Sequence, residues 1–127
     1  MHRFVYLRLL RGSLVLGAFY DLVFAALMVL APQVASRPLG LPLPGERFYL
    51  WLMAVMLAML AALYLKAAQD PRRYSAVVVV AAVGRCAGAA AFAAAALDRP
   101  ELDGLWVLAA ADLAFGVAHA VLWKGQH

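Results

Sequence analysis

The 127-residue chain is 67% hydrophobic and only 14% charged, where a soluble globular domain carries about 25% charged residues. That composition excludes a soluble domain and points to an all-α integral membrane protein, a four-helix transmembrane bundle occupying residues 1–127 as one unit. The net charge of +4 does not indicate nucleic acid as a partner, because the cations are sorted by loop, a pattern of topology and attraction to the lipid bilayer.

From His2 to Arg11, apolar residues are interspersed with Arg3, Arg8 and Arg11, as in a short interfacial segment that leads into a first span at about 12–31. The apolar stretch Leu14 to Ala31 is longer than a signal-peptide core and carries Asp21 in its middle, so a retained helix is expected. Next comes Pro32 to Glu46, with four prolines and two glycines. Proline denies this stretch a continued helix, and Leu39, Leu41 and Leu43 either fold back on the bundle as a lid or belong to a simple connector.

The second span, about 48–65, is uncharged and carries Met53, Met56 and Met59 at a spacing of three. With no histidine or cysteine beside them, these methionines indicate packing or lipid contact rather than a soft-metal site. Asp70-Pro71 breaks the chain before the third span, about 75–97, where Asp70 or Ser75 is the expected cap. In that span Gly84 and Gly88 form a small-xxx-small pair, and eight of the ten residues from Ala87 to Ala96 are alanine. Such a helix suits close packing within the bundle, or pairing with a membrane-protein partner or a second copy of the chain. Cys86, the single cysteine, excludes an intrachain disulfide. The fourth span covers about 104–123. Trp51 and Trp106, and at the other end Tyr6, Tyr64, Tyr74 and Trp123, are expected as interface anchors. Seven cations (Arg3, Arg8, Arg11, Lys66, Arg72, Arg73, Lys124) against three (Arg37, Arg47, Arg99) place both termini in the cytoplasm by the positive-inside rule.

Three spans each hold one charge at matching depth. Asp21 lies 10 positions from Arg11, Arg85 lies 12 from Arg73 and Asp112 lies 12 from Lys124. At roughly 1.5 Å per residue these are about 15–18 Å, the middle of a hydrocarbon layer about 30 Å thick. Each costs about 2.5–3.5 kcal/mol at mid-span unless paired. Guanidinium can bind two carboxylates through separate edges, so Arg85 is expected between Asp21 and Asp112. The surplus carboxylate then calls for a proton held by one carboxyl or shared by the pair. Such a plane is either a static interhelical clamp or a ligand- and proton-binding site.

His119 lies seven residues beyond Asp112 on the same helix face, with Gly116 between them, which suggests a polar track from His119 through Asp112 to Arg85. Ser13, Gly17 and Asp21, spaced by four, form a matching lane on the first span. Gly17, Gly84, Gly88 and Gly116 are the expected helix-packing positions. Asp21-Leu22-Val23-Phe24 recurs as Asp112-Leu113-Ala114-Phe115, a four-residue echo better explained by coincidence or by convergence on a way to bury an aspartate beside an aromatic than by an inverted repeat. Since His2 and His127 are terminal and no HxxxH, ExxH or CxxC spacing occurs, neither metal nor haem is expected, and no cofactor is.

The size, the four spans over nearly the whole chain and the opening run Arg11-Gly12-Ser13-Leu14-Val15-Leu16-Gly17-Ala18-Phe19 resemble DoxX-like bacterial membrane proteins. The resemblance implies a small four-helix bundle in the bacterial cytoplasmic (inner) membrane, acting as an accessory subunit near a quinone or redox complex. The function expected first is accordingly that of a non-enzymatic accessory or structural subunit, whose Asp/Arg/Asp plane fixes packing or docks a partner. The alternative is a proton-linked carrier or binder of a small amphiphile, lipid or quinone, with Asp21, Asp112 and His119 handling protons and Arg85 meeting an anionic or carbonyl group.

Overall fold

A long apolar run without proline satisfies its backbone polar groups internally only as a helix, and four such runs dominate the sequence. In the computed structural model, which describes residues 2–127, they form α1 (His2–Leu30), α3 (Arg47–Gln69), α4 (Ser75–Asp98) and α5 (Leu105–Gly125), with a short α2 (Pro32–Leu39) after the first. The four longer helices, of 29, 23, 24 and 21 residues, are all long and apolar enough to cross a membrane. The expected interfacial segment 2–11 and first span are one continuous helix.

The helix α2 corrects the expectation that proline keeps the 32–46 stretch from being helical. Its two prolines occupy tolerant positions. Pro32 opens the first turn, where a backbone N–H has no intrahelical acceptor anyway, and Pro38 is the penultimate residue. Gly40 then closes the helix with φ 64°, in the left-handed region that suits glycine, while the Leu41 N–H reaches back to the Ser36 carbonyl at 3.0 Å. Between α3 and α4, the Asp70 carboxylate accepts from the Arg73 backbone N–H at 3.2 Å. Asp70 thus caps the tight turn, and neither it nor Ser75 caps α4, whose N-cap is Tyr74 without a side-chain bond.

The helix α1 packs along α3, α4 packs along α5, and contact between α1 and α5 joins the two pairs, while α3 and α4 meet over a much smaller area. Towards the end that carries both termini, Leu10, Leu14 and Ala18 of α1 form one buried cluster with Ala61, Tyr64, Ala67 and Ala68 of α3 and Val78 and Ala81 of α4. Alanine predominates in it, so the backbones approach closely and association rests on fitted van der Waals contact. The Tyr6 ring lies against Gly125, where an added Cβ would overlap it, tying the start of α1 to the end of α5. Trp51 and Trp106 are exposed, as interface anchors would be, whereas Tyr64 is a buried core residue and not the anchor expected of it.

The four glycines expected at packing contacts divide. A Cβ on Gly116 would stand 2.6 Å from the Cys86 Sγ and 3.1 Å from the Cys86 backbone nitrogen, which marks it as the close approach of α5 to α4. At Gly88 it would stand 2.7 Å from the Asp112 Oδ2, and at Gly17 3.4 Å from the Arg85 Nη2. Gly84 is the exception: it is exposed, with nothing within 4 Å of the added carbon, and it packs no helix of this chain. A rotation of about 100° per residue places Gly84 next to the inward Arg85 but on the outer surface.

Candidate functional site

Each of α1, α4 and α5 contributes one charged residue to the centre of the bundle, and the three meet. The Arg85 Nη2 lies 2.9 Å from the Asp21 Oδ1, and the Arg85 Nη1 donates to the Asp112 Oδ1 at 3.0 Å. The Nη2 also donates to the Gly17 carbonyl at 3.1 Å, one turn before Asp21 on α1. With Asp21 1% exposed, Arg85 7% and Asp112 9%, the three are withdrawn from the surface. Around the guanidinium stand the rings of Phe115, Tyr64 and Tyr20, with centroids 5.1, 5.3 and 5.5 Å from its carbon. Rings at that range attract a cation through their quadrupoles.

The satisfaction of the site is uneven. The Asp21 Oδ2 and the Arg85 Nε are both without a partner, while the Asp21 Oδ1 lies 2.9 Å from the same Nη2 that donates to the Gly17 carbonyl. Asp21 and Asp112 thus each hold the guanidinium through one oxygen, Oδ1, Asp21 at Nη2 and Asp112 at Nη1.

The structure separates His119 from the expected line through Asp112. It is fully buried, and its Nδ1 lies 2.9 Å from the Ser13 Oγ, which itself donates to the Leu10 carbonyl at 2.9 Å. With the Ser13 hydrogen so engaged, Oγ accepts from Nδ1–H, which leaves the Nε2 lone pair without a donor. That lone pair lies beside Gly17: the His119 Nε2 and the Arg85 Nη2 are both within 3.5 Å of the point a Gly17 Cβ would occupy. The polar lane thus runs from His119 through Ser13 and Gly17 on α1, and the Ser13–Gly17–Asp21 spacing predicted its α1 side.

Above the charged plane, on the α2 side, the bundle forms a partly open cavity of about 490 Å³. Asp21, Arg85 and Asp112 form its polar floor. Phe24 and Met28 of α1, Leu57 and Leu60 of α3, Phe92 of α4 and Leu108 of α5 make apolar walls. The roof is the α2 end and the following loop, and Leu39, Leu41 and Leu43 all line the cavity, as the fold-back alternative requires. Leu39 is seated on α5: a Cβ on Gly104 would overlap the Leu39 carbonyl. Met53 and Met56 edge the cavity while also largely exposed, and Met59 lies outside it.

Such a volume suits a small molecule, and apolar walls that end in a few convergent polar groups are the usual anatomy of a ligand site. Among the described residues no group of three or more His, Cys, Asp or Glu side chains is placed to hold a metal ion. Sequence reasoning missed the ring cage. Phe115 follows Asp112 by three residues and Tyr20 directly precedes Asp21, but Tyr64 carries no local sign that it faces a cation. No protein-family model matches the chain, and neither a curated protein nor a solved structure is found to be similar to it.

Proposed function

We propose that this chain is a multi-pass protein of the bacterial inner membrane, both termini in the cytoplasm, that binds a small amphiphile, of which lipids and quinones are examples. The observation that carries this reading is the 490 Å³ apolar cavity whose floor is the Asp21–Arg85–Asp112 plane. A purely structural clamp requires tight packing around the ion pairs, and a cavity of this size against them forfeits dispersion contacts that an evolved core would keep. The limited contact of α3 with α4 offers a way in from the side. A photo-crosslinking benzophenone side chain placed at Leu108, on the cavity wall, is expected to capture one species of defined mass in cells. The same group at Leu113, 51% exposed on the other side of α5, is expected to capture the bulk lipid mixture. Identical mixtures at both positions would refute the reading.

The accessory-subunit reading, to which the DoxX-like resemblance and its redox neighbourhood belong, has a separate support. On α4 the outward strip of Val80, Val83, Gly84 and Ala87 is exposed, and Gly84 has open space above it, so another helix could approach there. The two readings use opposite sides of α4 and are compatible.

A further inference from the structure

Resting on the amphiphile reading, we propose that the molecule the cavity takes carries a cationic, hydrogen-bond-donating head, an alkylammonium, in preference to a neutral or anionic one. The titratable groups that converge on the floor are Tyr20 and Asp21 from α1, Tyr64 from α3, Arg85 from α4, and Asp112 and His119 from α5. The single permanent cation among them is already engaged by Asp112, by the Gly17 carbonyl and by three rings. Two carboxylates against one guanidinium leave a negative charge to be balanced by a proton or by an incoming cation. The donors point the same way: the Oδ2 of the buried Asp21 has none. Asp112, whose side chain is 12% exposed, uses Oδ1 on Arg85 and is the carboxylate that an entering head group meets first. An ammonium supplies charge and donors together, and its alkyl tail lies along Phe24, Leu60 and Leu108. An anionic head would add to the surplus charge, while an alcohol would supply one donor and no charge.

The test uses the full-length protein in lipid nanodiscs, titrated calorimetrically with octylammonium, octanol and octanoate, with uptake by protein-free nanodiscs subtracted. The expected result is octylammonium bound tighter than octanol by about tenfold or more, with octanoate weakest. Asp112→Asn should erase the preference for the amine over the alcohol. Asp21→Asn, which removes the same unit of charge without touching the Arg85–Asp112 bond, should do the same and serves if the first variant does not fold. Octanol or octanoate binding as tightly as octylammonium to the wild type would overturn the cationic-head inference while leaving the cavity reading intact. Failure of all three to bind would overturn both.

Discussion

Arg85→Met is expected to abolish accumulation of folded protein. The substitution strands Asp21 and Asp112, both nearly inaccessible, without the guanidinium that each contacts within 3.0 Å. Removing one partner from a buried pair typically costs about 3–5 kcal/mol, against a total stability on the order of 5–15 kcal/mol. The loss here is greater in kind, since one arginine serves two carboxylates and joins α4 to both α1 and α5. Combining Arg85→Met with Asp21→Asn and Asp112→Asn is expected to restore much of the folded protein, because the penalty of burying unpaired charge is removed and only the smaller cost of burying two amides remains. Arg85→Lys is expected to fall between, as a single ammonium cannot span Asp21, Asp112 and the Gly17 carbonyl with the same geometry. The monodisperse yield on size exclusion and the thermal midpoint of each variant check the series. Wild-type yield from Arg85→Met alone would contradict the role assigned to Arg85.

Gly116→Ala is expected to destabilise the bundle by about 1–3 kcal/mol, the usual range for overpacking a fitted contact. The new methyl would meet the Cys86 sulfur, which can rotate away, but also the Cys86 backbone nitrogen and the Arg85 Cβ at 3.1 Å, which cannot. The two helices must separate by a few tenths of an ångström, and the Arg85–Asp112 bond that crosses them shifts with them. Gly84→Ala, by contrast, adds its methyl to open space and is expected to change stability by no more than about 0.5 kcal/mol. Thermal unfolding of the two variants side by side measures the difference. Equal effects would mean that α4 is rotated from the orientation described.

That contrast shows what the sequence could and could not convey. Hydropathy alone located the four long helices, since length and apolar composition suffice for that. The common level of Asp21, Arg85 and Asp112 along the helices could be counted from flanking cations, and the electrostatic cost of leaving them apart predicted that they meet. On α4 only Arg85 marked the inner face, since the rest of the helix is apolar all round and has no amphipathic stripe. Gly84 and Gly88 therefore looked alike, although only Gly88 faces Asp112. The helix α2 was hidden by its prolines, whose effect depends on whether they fall at the start, the interior or the end of a helix. The cavity is a property of how four helices splay, and only the leucines of the 39–43 stretch gave a local hint of it. His119 was expected on a track to Asp112, but its side-chain partner, Ser13, lies on another helix 106 residues away.

The most direct test is native mass spectrometry of the protein released gently from its own membrane. The account predicts a small molecule of defined mass retained on the folded chain and absent from an Asp112→Asn, Leu108→Trp variant that blocks both head and tail positions. A stoichiometric protein partner with no small molecule retained, or a retained mass unaffected by those substitutions, would contradict the cavity as the functional site.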